Sequence, residues 1–230
     1  MLLPKFENLE LGAACELLCP ACPHWPDSAP RPAGQLQSRA WLVNLCGGDP
    51  LAHPDLAPIL VALKKNRQLV TLTTCGYRLG SLEPKLLLLI DFIFLYVPAC
   101  SGEKAFLRTG LNSWPRQLAA IEYLQESKKK FAVLHPVAQD TLADLPELHA
   151  RLAPRGSYLI LLRNKKAENA VPRREKAYLY YYGRRPNTLV YEYRQNPPDN
   201  CLDFARQLGR PSLYNLWSGA KMFYKFLFLS

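Results

Sequence analysis

The chain alternates short apolar runs with segments of helical periodicity, and this alternation constrains its fold more than any other feature. The apolar runs that predict strands are residues 5–11, 40–46, 69–75, 91–97, 131–137 and 157–164. Amphipathic segments that predict helices fill every gap between them except the first: residues 56–66, 81–90, 115–130 and 142–153. Strands that alternate with helices of this length indicate βαβ units and a parallel sheet. We predict an α/β fold, either an open doubly wound sheet or an incomplete barrel, because six units are fewer than the eight of a closed (β/α)8 barrel.

Two regions depart from the alternation. The first gap, residues 23–40, holds four prolines and little periodicity, so we expect no regular helix there. Beyond about residue 163 the pattern dissolves into charge, proline and tyrosine, with one possible strand at 188–193. We predict a barrel-like region over residues 1–163 and a basic, Tyr-rich C-terminal extension over 164–230, not a second full domain.

The sequence shows no signal of secretion or membrane insertion. The first ten residues contain no apolar h-region and no small-residue cleavage site, which predicts a cytoplasmic protein. The most apolar stretch, residues 86–98, is shorter than the ~20 residues that a membrane helix needs, and Asp91 divides it. We therefore expect no contact with a membrane. In a reducing compartment, an odd count of seven cysteines favours metal binding or reactive thiols over a disulfide framework.

A C-x3-C-x2-C motif formed by Cys15, Cys19 and Cys22 follows the first predicted strand. Soft thiolate ligands select zinc, copper(I) or iron–sulfur clusters. A [4Fe–4S] cluster usually takes four cysteines, so three would leave one iron open to another ligand. The motif alone permits a cluster with an open iron, a zinc site completed by a ligand such as His24 or Cys201, or thiols without metal.

Small and polar residues follow the next two predicted strands: Gly47 to Pro50, and Thr74 to Gly76. In both candidate architectures the loops after the carboxyl ends of the strands bind ligands. The three motifs are therefore expected to meet at one edge of the sheet.

Together these motifs resemble those of the radical S-adenosylmethionine (radical SAM) superfamily. Its members typically carry C-x3-C-x2-C after the first strand of a partial (β/α)6 barrel, a Gly-Gly-Glu-Pro stretch after the second strand, and a Thr-Asn-Gly-Tyr turn after the third. This chain has Gly-Gly-Asp-Pro at 47–50 and Thr-Cys-Gly-Tyr at 74–77. The chain departs from this pattern at several positions: Asp49 replaces Glu, Cys75 replaces Asn, Ala21 occupies a position that is commonly aromatic, and Pro98 ends the fourth strand where many relatives have Ser. The resemblance covers roughly residues 5–163.

The resemblance implies a fold of the radical SAM type, with a C-terminal extension, and a chemistry supplied by cofactors. Cys15, Cys19 and Cys22 would ligate a [4Fe–4S] cluster whose open iron binds S-adenosylmethionine (SAM). Reductive cleavage of SAM would give a 5′-deoxyadenosyl radical that abstracts hydrogen from a substrate. The residues implied for SAM binding are Gly47, Gly48, Asp49, Pro50, Thr74 and Gly76. The glycines would let the backbone approach the methionine part of SAM, and Asp49 would accept from its amino group.

The sequence leaves the substrate and the catalytic residues unassigned, and the cluster would need an electron donor as partner. The net charge of +10 is concentrated in the extension, where basic residues alternate with tyrosines. Such a segment could bind an acidic partner or RNA, or be a solvated arm that covers the barrel opening. The alternative to an enzyme is a zinc-binding or degenerate-barrel interaction module without radical chemistry.

Overall fold

A parallel β-sheet organises the chain. The computed structural model describes residues 6–19, 22, 29–152, 157–164, 177, 181–182, 184–185, 187–193 and 205. Seven parallel strands run in sequence order across the sheet, which is not closed into a barrel. Their bounds are β1 Phe6–Glu10, β2 Leu42–Cys46, β3 Leu69–Thr74, β4 Phe92–Tyr96, β5 Phe131–Val137, β6 Tyr158–Asn164 and β7 Thr188–Tyr193. The predicted α/β class is confirmed, and so are the six predicted strands and the possible seventh.

Helices connect the strands after the first gap. Their bounds are α1 Leu56–Lys65, α2 Pro84–Leu89, α3 Gly102–Thr109, α4 Trp114–Glu126 and α5 Leu145–Leu152. Short 3₁₀ turns at Ala33–Gln35, Pro50–Ala52, Leu79–Ser81 and Leu142–Asp144 complete the connections. As expected, no α-helix forms among the described residues between β1 and β2. The sequence prediction missed α3, which begins at an N-cap Ser101 whose hydroxyl accepts from the Lys104 N–H and ends at the left-handed Gly110.

The two faces of the sheet differ in chemistry. The helix-covered face is aliphatic: β-strand residues such as Val43, Leu72 and Leu95 pack with Leu60 of α1 and Leu148 of α5 in one core. Burial of this face stabilises the fold by roughly 25 cal/mol for each Å² of apolar surface. The helices therefore cover one face only, which leaves the opposite face to line the interior of an open barrel.

The interior face is polar on β1–β3, whereas on β4–β7 it is apolar, with both aromatic and aliphatic side chains. The Asn44 side chain, which is fully buried, donates to Asn8 and accepts from the hydroxyls of Thr71 and Thr73 at 2.9–3.1 Å. On the other strands, interior side chains including Phe94 form a second buried cluster.

Described residues of the predicted extension contact both faces. Strand β7 extends the sheet beyond residue 163, and its Tyr191 lies in the apolar interior cluster. Ala205 packs on Cys46, and its carbonyl accepts from the Asn8 amide at 2.5 Å. Tyr182 packs instead on the helical face, beside His149 of α5. The division at residue 163 stays a prediction.

No helix in the described ranges is long and apolar enough to cross a membrane.

Candidate functional site

The cysteine loop runs beside the turn that follows β2. Backbone hydrogen bonds join Ala13 N–H to the Gly47 carbonyl and Asp49 N–H to the Ala14 carbonyl, both at 3.2 Å. Gly47 and Gly48 have φ of +86° and +69°, a region that favours glycine. A Cβ on Gly48 would lie 1.6 Å from the Ala13 carbonyl oxygen. Gly48 therefore lets the turn after β2 approach the backbone of the chain's own cysteine loop.

The motif cysteines pack together beside a fourth thiol. Cys15 and Cys19 are buried with Cys75 in one cluster, and the half-buried Cys22 packs against it. None of these four cysteines forms a disulfide bond. No group of three His, Cys, Asp or Glu side chains among the described residues is arranged to hold a metal ion.

Asp49 ties the ends of β2 and β3 together. Its Oδ1 accepts from the Thr74 hydroxyl at 2.7 Å and from the Leu51 N–H at 3.2 Å, and its Oδ2 accepts from the Cys75 thiol at 3.3 Å. Asp49 is 0% exposed and precedes the 3₁₀ turn at Pro50–Ala52, where a short carboxylate serves as N-cap. Burial raises the pKa of Asp49, and the nearby Glu16 adds to the rise, although these hydrogen bonds oppose it.

The turn after β3 is shaped by Thr74 and Gly76. The Thr74 hydroxyl accepts from the Gly76 N–H at 2.9 Å while it donates to Asp49. Gly76 has a φ of +78°, and a Cβ there would lie 2.4 Å from a methyl group of Leu95. The predicted cofactor-binding residues of both turns are thus brought together at the carboxyl edge, next to the cysteine loop.

Cys75 does not present a ready thiolate. A hydrogen bond with Cys15, its burial and the nearby Asp49 all raise its pKa well above the ordinary value. Burial and Asp144 similarly raise the pKa of Cys100. Neither thiol has the lowered pKa that is typical of a cysteine nucleophile.

Glu16, between the first two motif cysteines, was not singled out by the sequence reasoning. Its Oε1 accepts from the Arg78 Nε, which joins the cysteine loop to the segment after β3. Its Oε2 is buried and has no hydrogen-bond partner in the part of the chain that the structure describes. The only signal in the sequence that could have pointed to Glu16 was an acidic residue inside the cysteine motif. The contact with Arg78, 62 positions away, was not visible in the pattern.

Helix α3 holds the opposite side of the cysteine loop. The Leu18 N–H donates to the Thr109 carbonyl at 2.7 Å. Two ion pairs fix α3 over the segment after β5: Lys104 with Asp144 at 2.7 Å, and Arg108 with Asp140 at 2.6 Å. The missed helix therefore positions the predicted metal-binding loop.

His135, at the end of β5, is a structural residue. Its Nδ1 lies 2.9 Å from the Val97 carbonyl and its Nε2 lies 3.3 Å from the Thr141 carbonyl. The ring is completely buried, and this burial lowers its pKa. These two bonds join the segment after β4 to the segment after β5. Neither bond is made to a residue of the cysteine cluster.

Several predicted features lie outside the described residues: Ala21, His24, Cys201 and most of the basic residues of the extension. An acidic partner or RNA at the extension stays a prediction. Of the described basic residues, Arg185 lies over the Tyr181 ring, 4.3 Å from its centroid.

Solved structures with a similar fold include radical SAM enzymes. Streptococcus suis SuiB aligns with a TM-score of 0.62 and 16% identity over 83% of this chain and 50% of SuiB. The enzyme anSMEcpe, solved with AdoMet and the Kp18Cys peptide, aligns with a TM-score of 0.55 and 14% identity over 81% of this chain and 64% of anSMEcpe. SuiB has also been solved bound to S-adenosylmethionine and to its precursor peptide SuiA. No protein-family model and no curated protein matches the sequence.

The chain therefore has the partial-barrel fold of the radical SAM enzymes, and the predicted resemblance is confirmed at the level of the fold. It spans about half the length of SuiB.

The residues at the sheet edge fit a [4Fe–4S] cluster and SAM by the chemistry of their side chains, although the described cysteines are not arranged as a metal site. Three soft thiols lie on one loop, beside the two turns at the ends of β2 and β3. The buried and unpaired Oε2 of Glu16 provides an acceptor beside them that no described group uses.

Proposed function

We propose that this chain is a radical SAM enzyme in which Cys15, Cys19 and Cys22 hold a [4Fe–4S] cluster and SAM occupies the open iron. The observation that supports this best is the packing of these cysteines at the carboxyl edge of a radical SAM-type sheet. When bound, the two cofactors would supply reductive cleavage of SAM to a 5′-deoxyadenosyl radical that abstracts hydrogen from a substrate.

The protein's own residues would bind and orient these groups. Gly48 and Asp49 hold the cysteine loop against the end of β2 through backbone contacts. Thr74, Gly76 and Pro50 would line the site beside it, and the buried environment would limit access of water to a reactive radical. A one-electron donor is the partner that the chemistry requires. Peptides are the substrate class to assay first, since SuiB and anSMEcpe have both been solved with peptides.

Anaerobic reconstitution with iron and sulfide tests the proposal. We expect about four irons per chain, the visible absorbance of a cluster, and release of 5′-deoxyadenosine after reduction in the presence of SAM. The Cys19→Ala variant should lose most of the iron and all of the product. Cys46→Ala is the matched control and should keep both, because Cys46 packs on Ala205 and lies outside the proposed ligand set.

Stoichiometric zinc without 5′-deoxyadenosine would contradict the proposal. It would support the alternative, a zinc-binding or degenerate-barrel interaction module.

A further inference from the structure

Asp49 is committed to the fold, although it stands where the radical SAM motif has Glu. Both of its oxygens accept hydrogen bonds from Leu51, Thr74 and Cys75. The side chain is also completely buried. A carboxylate has about four acceptor sites in all, so Asp49 has little capacity left for a ligand, and a ligand that displaced one of these donors would leave a buried polar group unpaired. Another carboxylate is therefore better placed to receive a ligand at this edge.

Glu16 lies beside the turn that follows β2. It follows β1, whereas its ion-pair partner Arg78 follows β3, and β2 lies between these strands in the sheet. The Ala14 carbonyl, two residues before Glu16, accepts from the Asp49 N–H, so this part of the cysteine loop lies at the end of β2. The Glu16 carboxylate is also close enough to Asp49 for its charge to raise the pKa of Asp49.

One oxygen of this carboxylate lacks a donor. The Arg78 Nε occupies Oε1, while Oε2 is shielded from solvent and has no hydrogen-bond partner in the described ranges. A buried carboxylate oxygen without a donor is costly, so such an atom calls for an explanation. An N–H donor from a bound ligand would satisfy it, whereas an anionic group would be repelled.

We propose that Glu16 is a SAM-binding residue whose Oε2 accepts a hydrogen bond from the amino group of the cofactor. This inference rests on the proposed function, since it assumes that SAM binds beside the motif cysteines. The resemblance assigned the hydrogen bond from the SAM amino group to Asp49, whereas this proposal assigns it to Glu16 of the cysteine loop. Asp49 is then a positioning residue that joins β2 to β3.

The test measures binding of three nucleosides to the reconstituted protein by equilibrium dialysis. SAM and S-adenosylhomocysteine carry the amino group, whereas 5′-methylthioadenosine lacks the amino-acid part. Glu16→Gln should weaken binding of SAM and of S-adenosylhomocysteine about ten-fold or more, because it removes a charge-assisted hydrogen bond. Binding of 5′-methylthioadenosine should change by less than about two-fold, and the iron content should equal that of the wild type.

Two further variants separate loss of charge from loss of structure. Glu126→Gln makes the same change at an exposed position at the end of α4 and should bind every nucleoside as the wild type does. Glu16→Asp keeps the negative charge and should bind SAM more tightly than E16Q.

Each possible outcome supports or overturns the assignment. Equal binding of SAM by the wild type and E16Q would overturn it, as would an equal loss for 5′-methylthioadenosine. If the wild type itself assembled no cluster or bound no SAM, the proposed function would fail instead.

Discussion

Gly48, in the turn after β2, helps to fix the position of the cysteine loop that follows β1. Its left-handed φ and the missing Cβ let the turn after β2 press against Ala13 of the cysteine loop. The backbone bonds from Ala13 and Asp49 depend on that approach. The glycine is therefore required by the chain's own packing, whether or not a cofactor is bound.

Replacing Gly48 with Ala should destabilise the protein by about 2 kcal/mol or more, because a left-handed backbone and a backbone clash are both unfavourable. Urea unfolding followed by circular dichroism measures the change. Gly80→Ala is the control, since a Cβ at Gly80 meets nothing within 4 Å, and it should change stability by about 0.5 kcal/mol or less. Equal losses in the two variants would show that Gly48 is not constrained by Ala13.

The polar residues of β1, β2 and β3 form a connected network on the interior face. Asn44 occupies its centre, and the parallel register places it between Asn8 and Thr71. Its hydrogen bonds satisfy the buried hydroxyls of Thr71 and Thr73 and the amide oxygen of the half-buried Asn8. The three strands that end in the predicted site are thus joined through side chains as well as backbone.

Asn44→Ala should lower the free energy of unfolding by about 2–4 kcal/mol, because the hydroxyls of Thr71 and Thr73 lose their acceptor and Asn8 loses its donor. The midpoint of denaturant unfolding measures this loss. The exposed Asn66, at the C-cap of α1, provides the control, and Asn66→Ala should cost about 0.5 kcal/mol or less. A loss for Asn44→Ala no larger than that of the control would mean that water satisfies the freed groups.

The chain as a whole covers one sheet face with helices and part of the other with residues from beyond the sheet. Cys46 is 1% exposed on the interior side of β2, where Ala205 packs on it. This contact joins residues about 160 positions apart, which ties a described part of the extension to the strand that precedes the Gly-Gly turn.

A variant that ends at residue 193 should expose the Cys46 thiol, since it removes Ala205 together with the rest of 194–230. Maleimide labelling followed by peptide mass spectrometry measures the rate at Cys46, and we expect an increase of at least about ten-fold over the full chain. Cys100, which belongs to the helix-covered core, is the internal control and should stay protected. Unchanged labelling of Cys46 would show that the extension does not cover this face.

The sequence predicted the strands well and one helix not at all. Buried parallel strands are apolar along their whole length, so residues 69–74 and 131–137 stand out as continuous runs. Helix α3 has only eight residues, its buried positions are the small residues Ala105 and Thr109, and its large apolar residues Phe106 and Leu107 are exposed, so no large apolar stripe marks its buried face. Its Ser101 cap and terminal Gly110 were the available signals.

What the sequence determined by itself was the parallel α/β order and the three motifs at successive strand ends, because these depend on local periodicity and on which residue follows each strand. The tertiary structure decided which side chains meet. Only the folded sheet brings Cys75 against Cys15, turns Asp49 inward to Thr74, and pairs Glu16 with Arg78. Such contacts depend on strand order and on the close approach at Gly48, which no local pattern records.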